Sequence, residues 1–522
     1  MLKYTDKINT KSGYMKILLK ILFYLALFSL LGFLLIQLFF VDEFNDFKQN
    51  VLHLSPPAKT DVSYKTLNIA YAFGPASLEP THFDSVTRGR LLNIYEALVK
   101  TDKDLKIHPC LAVSWGRLND TTWEFKLRPD VLFHDGSNLT ADDVLASFDR
   151  AINYQYSQLD DVLKSIKSIK KIDDLTIEII TNYPDPLLVN RISGVLIFPD
   201  TLKDFEKPVG TAPYEFFYFD NELLQLERFE GYWGAKPYYK QIVIKTISNR
   251  FDRTEQFKKG QIDILANVPP SLIKEISDSS SVTISSLPSL EVNFLVFNMN
   301  SGLFKDKRLR KAISLAFDKK EFIDFTLGYA QPADQFVSNG IFGFNPEIKP
   351  VQQDIEETKK LLREYDPFKR VQIKIDMAEG TEIIGEYIKD HLNDLGMSVE
   401  INILPFEKLN EKIITRSTDI YYLGWKSEIG DASDFLENAV HSQGRFNGGG
   451  YVNKKVDQLI ELSLRNLDPE KRLQQLHEIM KIIVEDDIVG VPLFESSVIY
   501  GIKAGVSFKP RLDGNIIAAE IS

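Results

Sequence analysis

The stretch TWEFKLRPDVLFHDGSNLTADDVLASFDRA, residues 122–151, changes its hydrophobic period part-way. Trp123, Phe125 and Leu127 alternate with polar neighbours, which places them on one face of a strand, and Arg128 to Asp130 turn it. His134, Asp135 and Gly136 suit a second tight turn. From Thr140 onward Val144, Leu145 and Phe148 follow a helical pattern. Thr140 with Asp143 three residues on forms a capping box, and Asp142 and Asp143 sit at the positive end of the helix dipole. Local architecture therefore accounts for these acidic groups, and a metal role for His134 is the lesser alternative.

Around this stretch lies a chain of 522 residues, enough for about three folding units at roughly 100–200 residues each. Its 44% hydrophobic and 26% charged residues are those of a globular protein. A net charge of -11, with no basic stripe beyond the N-terminus, argues against a nucleic-acid partner. Cys110 is the only cysteine, so neither an intrachain disulfide nor a multi-cysteine metal site is available. Within IHPCLAVSW it reads as a buried, bland cysteine rather than a reactive one. No Gly-x-Ser-x-Gly elbow, His-Glu-x-x-His pair or Gly-rich nucleotide fingerprint occurs, and the seven histidines are scattered. The expectation is a binding protein without a cofactor, with an unusual hydrolase as the enzymatic alternative.

The N-terminus points to a membrane. Residues 17–41, ILLKILFYLALFSLLGFLLIQLFFV, hold an uncharged run from 21 to 41, long enough to span a bilayer at about 1.5 Å per residue. Lys3, Lys7, Lys11, Lys16 and Lys20 precede or enter it, and Asp42, Glu43 and Asp46 follow. The positive-inside rule then puts residues 1–16 in the cytoplasm and everything after 41 outside. A cleaved signal peptide would want a shorter apolar core and a small-residue cleavage site, neither of which IQLFFVDEF offers. The expected arrangement is a single-pass cell-membrane anchor, 17–41, then a polar, Pro-containing stalk, 42–63.

In the body, TLNIAYAF alternates like a strand, GPASLEP supplies a turn, and SVTRGRLLNIYEALVK has helical spacing at Leu91, Leu92, Tyr95 and Leu98. RVQIKIDMA, EIIGEYIKDHLNDLG, MSVEINILP and TDIYYLGW read as β-α-β-x-β, the order of an open α/β sheet. Ligands bind such sheets beyond the carboxyl ends of the strands, and DIYYLGW ends at such a point. FNGGGYVNKKVDQLI lacks the Gly-Lys-Ser/Thr ending of a phosphate loop, and Asn453 reads as a helix cap. Arg445 beside it is read as a surface residue, with a ligand carboxylate as its alternative partner.

These stretches together resemble the family 5 extracellular solute-binding proteins, the peptide, dipeptide and nickel-binding receptors of ABC importers. YEALVKTDKDLKIHPCLAVSW and the 122–151 stretch match the family signature. PVGTAPYEF, LERFEGYWGAKPYYKQIVIK, FKKGQIDIL, FKDKRLRKAISLAFDKKEFI and YVNKKVDQLIELS follow in the family's order. The resemblance implies the type II periplasmic-binding-protein fold, two lobes around a cleft plus an extra inserted α+β domain. Lobe I would comprise 64–92, 205–297 and 488–522, the inserted domain 93–204, and lobe II 298–487. VNFLVFN and EDDIVGVPL would be the hinge segments.

In peptide-binding relatives the ligand adds as a strand between the lobes and a carboxylate holds its α-amino group. The family's Gly-Trp pair is followed two residues later by an Asp and then by a Pro-containing turn. Here GWKSEIGDASDFL carries Glu428 at that position and Ala432 near the missing proline. The resemblance makes Glu428, Trp425, Gly424 and Leu423 candidate ligand contacts, joined by Asn298 from the hinge and by Gly74 and Ser77 from FGPASLEP. Each has a structural alternative: a solvated loop carboxylate, a core tryptophan, a hinge amide, a strand-to-helix turn. Asp431 and Asp434 read as caps for a helix near Phe435. The implied ligand is a small peptide, with a nickel chelate, sugar or other solute as alternatives. Permease and ATPase would be separate chains, the ectodomain monomeric, and a signalling receptor is the alternative partner.

Overall fold

A computed structural model of the chain describes residues 65–277, 281–326, 328–368, 371–427 and 429–522. The tail, the apolar segment 17–41, the stalk and Glu428 lie outside the described residues. No helix among the described residues is long and apolar enough to cross a membrane.

The strands in chain order are β1 (Thr66–Tyr71), β2 (Val99–Thr101), β3 (Ile107–Pro109), β4 (Ala112–Asn119), β5 (Thr122–Leu127), β6 (Ile166–Asp173), β7 (Thr176–Thr181) and β8 (Tyr214–Phe219). They continue as β9 (Leu223–Arg228), β10 (Gln241–Thr246), β11 (Ile264–Leu265), β12 (Val282–Phe297), β13 (Ala330–Pro332), β14 (Gln372–Ala378), β15 (Ser398–Leu404), β16 (Ile420–Lys426) and β17 (Gly490–Lys503). One mixed sheet runs β15-β14-β16-β12-β17-β11-β1-β10-β9-β8, with β13 added to β17. β14 pairs in parallel with both β15 and β16, as the β-α-β-x-β reading expects. The helices Glu382–Asp394 and Phe406–Ile414 supply the crossovers.

Hydrophobic clusters among the described residues hang on this frame. Leu67, Ile69, Ile242, Ile244 and Tyr500 pack one around β1, β10 and the end of β17. Leu295, Phe297, Phe317, Ile375 and Ile388 pack a second, extended by Phe294, Phe336 and Phe435. A third, with Phe125, Phe133, Val144, Phe148 and Ile179, covers the separate sheet β4-β5-β7-β6. The long strands β12 and β17 run from the first core into the second. Their register shifts between Pro288 and Val292, where Leu290 adopts a φ of 63°.

The 122–151 stretch forms strand, turn and helix in the expected order. Gly136 takes a φ of 85° in the FHDG turn, where a side chain would be strained. Asp143 accepts from the Thr140 backbone N–H at 2.7 Å and from its hydroxyl at 2.9 Å, closing the capping box of the helix Ala141–Asn153. The helical reading of SVTRGRLLNIYEALVK needs correction, because the helix covers only Ser85–Leu91. The Asn93 amide donates to the carbonyls of Gly89 and Ile516 and its oxygen accepts from the N–H of Ala518. This side chain competes with helical backbone pairing and ties the chain to the C-terminal segment.

Candidate functional site

β16 reaches the site. Its buried start, Ile420 to Tyr422, lies in the middle of the sheet, and Gly424, Trp425 and Lys426 face Asn293, Val292 and Glu291 of β12. A Cβ on Gly424 would lie 2.7 Å from Glu291 Oε1 and 2.9 Å from Asn293 Oδ1, so glycine here makes room for two polar side chains of the neighbouring strand. The Trp425 indole N–H donates to Asp434 at 3.4 Å, and its ring meets Phe435 and Phe446 edge-on. Leu423 packs against the cluster of Leu409, Ile413 and Tyr421.

Three cavities meet along this segment. The largest, 840 Å³, lies between Phe83, Lys164 and Arg191 on one side and Trp425, Ile429 and Arg445 on the other. A second of 350 Å³ is lined by Glu96, Trp233, Asn190 and Ile429. A third of 200 Å³ is lined by Phe73, Arg90, Glu291 and Lys426. Lys426 and Ile429 each border two of them. The cleft is also bridged: Lys164 pairs with Glu437 at 2.8 Å, Asn190 donates to the Ile429 carbonyl at 3.1 Å, and Lys426 donates to the Asp513 carbonyl at 3.1 Å.

Of the sequence candidates, Trp425 lines a cavity, and Gly424 stands beside it against Glu291. Glu428 lies outside the described residues, between buried Ser427 and cavity-lining Ile429. Asn298 is buried and spends its amide on the carbonyls of Arg416 and Thr418, while its oxygen accepts from Asn300 N–H. Ser77 accepts from Glu79 N–H at 3.1 Å in a local turn. Gly74 approaches Thr246, whose hydroxyl oxygen would be 2.7 Å from an added Cβ, and its neighbour Phe73 lines the smallest cavity. Arg445 lines the largest cavity, and Gly449 lets the glycine run press against the Phe297 carbonyl. Asn453 caps the helix Lys454–Ser463.

Two polar clusters have partners that the sequence reading missed. Glu96 is buried and accepts from Trp233 Nε1 at 2.9 Å, Thr211 at 2.9 Å, Tyr232 at 3.0 Å and Cys110 at 3.4 Å. Burial raises its carboxyl pKa, opposed by these donors. A carboxylate inside the apolar run YEALV was the available signal. Asp431 accepts from Ser433 N–H at the start of the short helix Ser433–Phe435. Its main partner is Arg472, which forks onto both oxygens at 2.7 and 2.8 Å. Among the described residues no group of three or more His, Cys, Asp or Glu side chains could hold a metal ion.

The sequence profile of the bacterial extracellular solute-binding proteins, family 5 (middle region), matches residues 106–447. The chain belongs to this family. It is 25% identical over 410 residues to the glutathione-binding protein GsiB of Pectobacterium atrosepticum, covering 74% of this chain and 80% of that one. It is 26% identical over 449 residues to the nickel-binding protein NikA of Staphylococcus aureus, covering 84% and 89%. Among solved structures, the substrate-binding protein CtaP of Listeria monocytogenes superposes with a TM-score of 0.79 at 23% identity, covering 87% of this chain and 98% of the other. DppA of Helicobacter pylori in complex with a peptide gives 0.71 at 22%, covering 87% and 96%. The fold is accordingly the α/β fold of the type II periplasmic binding proteins. Members of the family are extracellular solute-binding proteins.

Proposed function

We propose that this protein is the membrane-anchored receptor of an ABC importer, capturing short peptides between its lobes and handing them to a permease and ATPase encoded as separate chains. The observation that carries this reading is the run of cavities along Trp425–Gly430, between separately packed cores joined by the long strands, by polar bridges and by apolar contacts such as those of Leu105 and Leu512. A ligand touching both walls binds the closed form better and shifts the population toward it. The 840 Å³ cavity is in the range of small-molecule sites and larger than a bare cation needs. Glu428 takes the peptide's ammonium, Trp425 forms an apolar wall, and the anchor 17–41 holds a monomeric body outside the membrane.

The test is native mass spectrometry of the full chain with its released ligand identified. A ladder of mixed short peptides supports peptide capture, and a single non-peptide mass overturns it while leaving the receptor role. Glu428→Gln is expected to weaken peptides with a free amino terminus by about 2 kcal/mol, read by calorimetry, with N-acetylated peptides unaffected. The anchor requires that the mature chain retain residues preceding 41, checked by N-terminal sequencing.

A further inference from the structure

Arg90, on the helix Ser85–Leu91, is 5% exposed and lines the 200 Å³ cavity. Its guanidinium carbon lies 3.2 Å from the Tyr71 ring centroid, and one terminal nitrogen donates to the Phe73 carbonyl at 3.0 Å. Its Nε is buried without a hydrogen-bond partner. The other buried arginines among the described residues are spent differently. Arg191, Arg472 and Arg511 each hold a carboxylate, while Arg253 and Arg310 saturate backbone carbonyls. Burying an arginine with an idle donor costs stability, and such a cost persists where a ligand makes use of the donor.

The carboxylates that share this cavity leave Arg90 unpaired. Asp513 is held by Arg511 at 2.9 Å and by the Asn515 N–H at 2.9 Å. Glu291 accepts from Asn293, two residues further along the same strand β12, at 3.2 Å. The wall therefore offers a guanidinium at one side and a carboxylate at the other, a pattern that suits a zwitterion and disfavours a polyanion. We propose that Arg90 is the carboxylate-recognition residue of the cleft, receiving the carboxylate of a zwitterionic solute such as the C-terminus of a short peptide. Stacking on Tyr71 pre-orients the guanidinium, and its fork geometry matches a carboxylate.

This assignment rests on solute capture in the cleft, and its test separates the two. The full chain is titrated with a di- to pentapeptide mixture carrying free carboxyl termini and with the same mixture C-terminally amidated. L-histidine and histidinamide are compared in the same way, each with and without nickel. The wild type is expected to favour the acids by about tenfold or more. Arg90→Gln abolishes that preference, and Arg90→Lys keeps part of it, with folding of both variants checked by thermal melting. Peptide binding with equal affinity for acids and amides, or an acid preference that survives Arg90→Gln, overturns the role of Arg90 and leaves peptide capture standing. Histidine binding that depends on Arg90 without any peptide binding does the reverse. No acid preference in either series overturns the role of Arg90.

Discussion

His134 shows how one residue can be read correctly by class and still carry an unforeseen job. Its Nδ1 accepts from Gly210 N–H at 3.2 Å and its Nε2–H donates to the Ala212 carbonyl at 2.9 Å, so the ring is neutral and joins the FHDG turn to the segment leading into β8. Burial lowers its pKa from 6.5 to about 4. The unfolded chain takes up the proton first, so this contribution is complete above pH 6.5 and is lost as pH falls toward 4. The expected loss is roughly 3 kcal/mol, read as a falling urea midpoint across that window and flattened in His134→Phe. Arg472→Ala should cost about 3–5 kcal/mol, since it strands the buried Asp431 carboxylate. Gly424→Ala would push a methyl into Glu291 Oε1 and is expected to lower ligand affinity more than thermal stability, compared by calorimetry and melting.

At the level of elements, short-range chemistry sets beginnings and long-range partners set ends. The capping box starts the helix Ala141–Asn153 where the sequence pattern places it, and Thr140→Ala should cost about 1 kcal/mol in chemical unfolding. The helix Ser85–Leu91 stops short of its apolar periodicity because Asn93 is recruited by residues near the C-terminus, which no local window contains. β14, β15 and β16 were legible from alternation and spacing. β12 and β17 were legible only as segments. Their ladder, with a register shift between Pro288 and Val292, pairs residues far apart in the chain.

For the whole molecule, side-chain contacts join the cavity walls in addition to the long strands. Lys164–Glu437 joins the walls at 2.8 Å, with both side chains partly solvated. Lys164→Ala is expected to weaken ligand binding by less than about 1 kcal/mol, and less at high salt than at low. A loss unaffected by salt would assign the contact to packing instead. Trp425 and the Asn190–Ile429 bond offer little charge to screen.

Sequence by itself determined the family, the strand–turn–helix of 122–151 and the parallel unit of β14–β16. Each of these is encoded in side-chain period, capping chemistry or a contiguous motif, all of which act over a few residues. Tertiary structure alone decided which polar groups are spent and which stay available. In sequence Asn298 reads as a candidate contact and Asp431 as a helix cap, yet their hydrogen bonds go to Thr418 and Arg472. Arg90 is inconspicuous in SVTRGRLLN, yet folding buries it with an idle donor beside Tyr71. The physical reason is that burial and hydrogen-bond satisfaction are sums over partners brought together by the fold, here β1, the end of β17 and the C-terminal segment.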